Sequence, residues 1–228
     1  MPRHPTGAGN RVLSRLSRAD LALLKPHLEP VDLPIFTSLE TANSPIDTVY
    51  FIDHGFASDV ADGPGKRDIE VGFIGREGMT GLAVVLGADR ARHNTYIQVA
   101  GAGQRVSASK LRRAMARSAG LRRQLLRCAN EFLIQTTETA LANGLSKNEQ
   151  RLARWLLMAH DRIDGGNLPL MHKLLAIMLG VQRSAVTATV HALEREGLIK
   201  GGRRVIAIRD REGLVRFSRG AYVAPDTL

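Results

Sequence analysis

The sequence predicts an α+β chain in three parts: an N-terminal jelly-roll-like β-roll, one long helix, and a C-terminal winged helix-turn-helix. Three observations carry this prediction. Strand-like runs divided by turn residues fill positions 31–108; glycine and proline almost vanish between Lys110 and Ile163; and two helical patterns meeting at Gly180 are followed by a Gly-Gly-turned hairpin. At 228 residues, 44% of them hydrophobic, the chain is long enough for two modest cores. The expected division is a flexible N-terminus over 1–15, the β-roll over 16–117, a dimerisation helix over 118–144 and the winged helix domain over 145–228.

Ser17 opens the ordered part as a cap for a short helix, LALLKPHL, which ends near Pro30. The strands are VDLPIF, TVYFI, ASDVAD, IEVGFI, YIQVA and QRVSA. They are separated by Asn43-Ser44-Pro45, Asp53-His54-Gly55, Gly63-Pro64-Gly65 and Gly101-Ala102-Gly103. Many short strands at regular spacing indicate a β-roll, sandwich or barrel. In the long helix, Leu121, Leu125, Cys128, Phe132, Gln135, Thr139 and Ala142 recur at alternating steps of four and three, the intervals of a heptad seam. A second copy of the chain is the expected partner of this stripe; the competing occupant is the chain's own β-domain. Gly144 marks a break, and Ser146 to Glu149 has the spacing of a capping box before a helix running to about Ile163.

Net charge is +10, and its placement bears on function. Residues 1–110 carry twelve Lys/Arg against twelve Asp/Glu, residues 111–145 six against two, and residues 146–228 fourteen against eight. A neutral N-terminal part joined to a basic C-terminal part fits a sensor fused to a nucleic-acid binder, because neutralising phosphates is the main sequence-independent source of affinity. The single cysteine, Cys128, forms no internal disulfide and cannot by itself assemble a zinc or iron-sulfur site. The opening MPRHPTGAGN lacks the apolar stretch of a signal peptide, and no run of about 18 apolar residues occurs, so the cytoplasm is the expected location and no membrane the expectation.

Met171 to Ile199 reads MHKLLAIMLGVQRSAVTATVHALEREGLI. Leu174, Leu175, Met178 and Leu179 give the first helix an apolar face, with Ala176 small at the crossing, Gly180 at the corner and Val181 plugging it. The second helix turns Val186, Val190 and Leu193 inward, leaving Gln182, Arg183, Ser184, Thr187 and His191 on the other face as candidate DNA contacts. Arg203 and Arg204 follow Gly201-Gly202 at the tip of the wing, placed for a phosphate or a minor groove. A purely structural helical hairpin is the alternative for the helix pair alone; the wing and the basic excess favour DNA. His191 and Glu194 stand three apart, a weak metal spacing better explained by DNA contact or solvation, and no metal site is expected.

The segments LARWLLMAHDR, LPLMHKLLAIMLGVQRSAVTATVHALEREGLI and RRVIAIRDREGL, after a β-roll and a long helix, resemble the Crp/Fnr regulators of bacteria from about Leu16 onward. The resemblance implies a cyclic-nucleotide-binding-like sensor domain, a homodimer, and a recognition helix in the major groove on which Arg183 reads guanine. Ser184 stands where many members have glutamate and Ala188 where many have a second arginine, so the operator should differ from the best-known one. The phosphate cassette of the cyclic-nucleotide branch corresponds to Gly78-Met79-Thr80-Gly81, with His93 or Asn94 near the place of its arginine. Methionine replaces the cassette's glutamate, which argues against cyclic AMP. Thr136 and Thr137 lie near positions that contact the nucleobase in that branch, which keeps them among the effector-pocket candidates. The oxygen-sensing branch needs a cysteine cluster that one cysteine cannot supply.

The expected partners are double-stranded DNA, a second copy of the chain, RNA polymerase and an unidentified small-molecule effector, with no bound cofactor. No Gly-X-Ser-X-Gly elbow, His-Glu-X-X-His or Walker loop is present, so the chain is not expected to be an enzyme. A sequence-independent architectural DNA protein is the other reading.

Overall fold

The computed structural model describes residues 9–63, 68–163, 165–169, 172–202 and 205–224. The chain divides into two compact units: one holds the residues up to Asp59 together with Phe73–Leu133, the other Val60–Gly72 and the residues from Ile134 onward. The second unit differs from the expected stretch 145–228 by also holding residues 60–72 and 134–144.

Along the chain, α1 (Arg11–Ser14) and α2 (Arg18–Leu24) precede β1 (Glu29–Leu33), β2 (Ser38–Glu40), β3 (Thr48–Ala61), β4 (Ile69–Ile74), α3 (Leu82–Val85), β5 (Asn94–Ser107) and α4 (Ala108–Arg117); all belong to the first unit except residues 60–61 of β3 and 69–72 of β4. The sheet runs β1-β5-β3-β4, with β2 also paired to β5, and β1 lies antiparallel to β5 from Glu29↔Arg105 to Leu33↔Gly101. Ser17 caps α2 by accepting from the Asp20 N–H at 3.1 Å.

Two expectations fail here for clear reasons. Residues from Asn10 onward are not a loose N-terminus: the Asn10 amide donates to the carbonyls of Ile52 (3.0 Å) and Gly78 (2.8 Å), its oxygen caps α1, and Val12 is buried in the core. The expected turns at Asp53-His54-Gly55 and Gly101-Ala102-Gly103 lie inside the unbroken strands β3 and β5. A Cβ on Gly101 would lie 1.8 Å from the His54 carbonyl oxygen, and one on Gly55, at φ +75°, 2.4 Å from that of Val99. These glycines let two backbones cross closely within the ladder.

The long helix α5 (Ala119–Leu145) begins in the first unit and ends in the second. Leu121, Leu125 and Cys128 are fully or almost fully buried in one core with Leu24, Val49, Phe51, Met79 and Leu111, and Phe132 packs on a second core built from Leu33, Leu39, Ile52 and Ile97. Farther along, the Thr139 hydroxyl donates to the Gln135 carbonyl (2.8 Å) and accepts from the buried Arg154 guanidinium (3.1 Å), and Ala142 is buried. The stripe expected to meet a second copy therefore lies largely on the helix's inward face: its own fold buries Leu121, Leu125 and Cys128 and half-buries Phe132, and Arg154 engages Thr139. The opposite face carries exposed Leu126 (41%), Leu133 (62%) and Leu141 (55%).

The second unit continues with α6 (Asn148–His160), β6 (Asn167–Pro169), α7 (His172–Leu179), α8 (Arg183–Arg195), β7 (Ile199–Gly202), β8 (Val205–Ile208) and α9 (Arg211–Phe217), with a three-stranded sheet ordered β6-β8-β7. The cap of α6 is Lys147 rather than Ser146, its N–H donating to Gln150 Oε1 at 3.0 Å. Inside this unit the β3–β4 tip contributes Glu70, a buried carboxylate that accepts from the Trp155 indole N–H at 2.6 Å. Burial without that donor would cost roughly 1–3 kcal/mol. Among the described residues no helix is long and apolar enough to cross a membrane.

Candidate nucleic-acid interface

The helix pair α7 and α8 is set by the residues the sequence marks. Leu174, Leu175, Met178 and Leu179 of α7 and Val186, Val190 and Leu193 of α8 are all buried. Gly180 takes φ +60°, the left-handed conformation that L side chains rarely adopt, and the Val181 N–H returns to the Ala176 carbonyl at 3.0 Å to close the corner. Arg151 of α6 donates to the Leu179 carbonyl, satisfying an acceptor at the end of α7.

With the apolar face consumed, the rest of α8 is open. Gln182 is its N-cap residue, and Arg183, Ser184, Thr187, Ala188 and His191 are exposed in the i, i+3, i+4 sequence of one helical face. The Thr187 hydroxyl leans back on the Arg183 carbonyl at 3.4 Å. In the wing, β7 and β8 pair from Ile199↔Ile208 to Gly202↔Val205, and β6 adds a third strand that the sequence reading lacked. Arg203 and Arg204 lie outside the described residues, as do Met171 and Pro64-Gly65.

A link between α8 and the wing was missed as well. Glu194 accepts the Gly201 backbone N–H on Oε1 at 2.7 Å, and its Oε2 lies 2.9 Å from His191 Nδ1. The Gly201 amide first, and His191 second, hold this carboxyl below its usual range. A second missed cluster fastens α9: Arg211 bonds Asp161 at 2.7 Å and the Tyr222 hydroxyl at 3.1 Å, while that hydroxyl donates to Asp161 at 2.7 Å. Neither signal is visible to motif reading, because each joins residues across a turn or a domain.

The effector-pocket candidates have different local surroundings. Met79 is wholly buried in the core, and Thr80 is buried with its hydroxyl accepting from the Tyr50 N–H at 3.0 Å. The Gly78 carbonyl is held by Asn10, and the Gly81 N–H donates to Glu40 Oε1 at 2.5 Å. His93 is half-buried, and Asn94 accepts from the Ala42 N–H at 3.0 Å. Burial pushes the Glu40 carboxyl above its usual range, Asp59 adding to the rise. Thr136 and Thr137 lie on α5 in the other unit, Thr137 exposed. Burial likewise pushes the Cys128 thiol up to about 12, leaving it a poor nucleophile.

Residues 150–217 match the Crp-like helix-turn-helix domain. No curated protein matches the chain by sequence. Among solved structures, FixK2 from Bradyrhizobium japonicum is similar with a TM-score of 0.73 at 18% identity, covering 86% of this chain and 98% of its own. A Crp/Fnr-family regulator from Eubacterium rectale is similar with a TM-score of 0.73 at 17% identity, covering 92% and 98%. A CRP-family regulator from Thermus thermophilus is similar with a TM-score of 0.71 at 19% identity, covering 86% and 99%. Likeness at these identities establishes the fold, and the chain is one of Crp/Fnr fold whose residues 150–217 form a Crp-like helix-turn-helix domain.

Proposed function

We propose that the protein is a cytoplasmic, homodimeric transcription regulator that reads a palindromic operator with α8 and touches the DNA backbone with its wing. One observation carries the reading: the apolar side of α8 is fully consumed by its own domain, while Gln182, Arg183, Ser184 and Thr187 stand open on the other side. Arg183, in the first turn of α8, is proposed to make a bidentate contact to guanine, and Arg203 and Arg204 to contact phosphates. Selection from randomised duplexes should return a palindrome, and Arg183→Ala should flatten one base pair in each half-site, at roughly 1–3 kcal/mol of discrimination. Arg203→Ala should weaken specific and random DNA alike and lower the salt slope by about one. Equal affinity for every duplex would favour the architectural reading instead.

The second copy is proposed to sit on the outward face of α5. Leu126, Asn130, Leu133, Thr137, Ala140 and Gly144 are all exposed and again alternate four and three, with Leu141 beside them. A two-fold operator asks for a two-fold protein. Sedimentation showing a monomer at micromolar concentration, still with specific DNA affinity, would refute this.

The β-roll is proposed to respond to an effector other than cyclic AMP. The cassette residues fit a phosphate badly: Met79 is core, and the Gly81 N–H that would face an anion is already taken by the Glu40 carboxylate. Calorimetry should find no tight cyclic AMP binding; micromolar affinity that also enhances operator binding would overturn this. RNA polymerase is the proposed further partner.

A further inference from the structure

For a neutral His191 ring, the hydrogen bonds of the Glu194–His191 pair select one tautomer. An ionised carboxylate only accepts, and Glu194 already accepts the Gly201 N–H on one oxygen. Its other oxygen stands 2.9 Å from His191 Nδ1, so Nδ1 must carry the hydrogen. A neutral imidazole has a single N–H, which leaves Nε2 a bare acceptor. The ring is 67% exposed and lies on the face that carries Ser184 and Thr187, seven and four residues earlier. The carboxylate is held in its turn by the Gly201 N–H of the wing, which it accepts at 2.7 Å.

Resting on the proposed DNA reading, we infer that His191 reads an exocyclic amino group, the N4 of cytosine or the N6 of adenine, through an acceptor Nε2 whose tautomer Glu194 sets. In the major groove those two amino groups are the base-edge donors, whereas guanine and thymine show acceptors at the corresponding positions. The helix then divides its labour by polarity: Arg183, all donors, matches guanine acceptors, and His191, an acceptor, matches amino-bearing bases. Glu194 is the positioning residue, holding ring and wing through its two oxygens.

The test is selection from randomised duplexes with the full-length wild type, Arg183→Ala, His191→Ala and Glu194→Gln. The wild type should favour adenine or cytosine over guanine or thymine at one position of each half-site by about fivefold, the worth of one net hydrogen bond. His191→Ala should erase that preference and leave the other positions intact; the residue is exposed enough that truncation does not threaten the fold. Glu194→Gln is the sharper variant. Its amide oxygen still takes the Gly201 N–H, but its NH2 now faces Nδ1, the hydrogen moves to Nε2, and the preference should swing to guanine or thymine. A purely structural role for Glu194 predicts no such swing. Unchanged preferences in both variants, or an even loss of affinity on all sequences as for a phosphate contact, overturn the inference. If Arg183→Ala still flattens its own base pair, the DNA reading survives that failure; a wild type that enriches no sequence removes both.

Discussion

The helices α5 and α8 are both two-faced, and they differ in what the sequence could say about each face. In α8 the corner at Gly180 dictates which side packs, so Val186, Val190 and Leu193 are inside and Arg183, Thr187 and His191 outside, as their order along the motif requires. In α5 no corner fixes the orientation, and heptad intervals run along both sides of the helix. The stripe richer in apolar residues, through Leu121, Leu125 and Cys128, belongs to the chain's own core; the poorer one, through Leu126, Leu133 and Leu141, is exposed. Periodicity identifies a face that will be covered. It does not identify what covers it.

Substitutions on the two faces of α5 should therefore part company. Leu125→Ala opens a cavity in a packed core and should cost about 2–5 kcal/mol, seen as a lower denaturant midpoint independent of protein concentration. If Leu125 lay between two copies instead, its effect would fade as concentration rises. Leu133→Asp should leave the protomer's unfolding nearly unchanged while raising the dimer dissociation constant about thirtyfold or more, as loss of a central interface anchor does. A dimer of unaltered strength in sedimentation would return the interface to another surface. The smallest effect comes from the β-roll, where a polar group faces inward. Folding raises the Glu40 carboxyl above its unfolded value, so its favourable contribution is present at acid pH and is lost as pH rises through the folded pKa. Glu40→Gln keeps an acceptor for the Gly81 N–H and should stabilise the protein by less than about 1 kcal/mol at neutral pH, the gain closing on acidification. Thermal melts across pH test the sign; a gain that grows in acid would contradict it.

The winged helix was legible because its fold and its site are the same residues: apolar spacing, one glycine corner and a glycine-turned hairpin. The β-roll was legible in kind but not in its joints. Gly55, Gly101 and Gly103 look like turns to a local reading, and only the close approach of β3 to β5 explains them as strand residues. The Glu194 link was out of reach for the same reason, since its partner Gly201 sits seven residues on, across a turn. Asn10 was lost among polar, glycine-rich neighbours, although it bonds residues more than forty positions away. Chemistry carried by tertiary approach leaves no periodic trace.

The Glu70–Trp155 bond spans 85 positions of sequence, and that distance sets an order of events in folding. Chains are made from the N-terminus, so the residues of β3 and β4 emerge well before those of α6. A fragment starting at residue 145 would carry Trp155 without its acceptor and the corner at Gly180 without Ile69, whose side chain lies 3.1 Å from where that glycine's Cβ would be. The half of the chain that is synthesised last therefore draws native contacts from residues made first. Its maturation waits on long-range contacts, and cutting the hairpin tip should slow assembly of a domain whose own sequence is untouched.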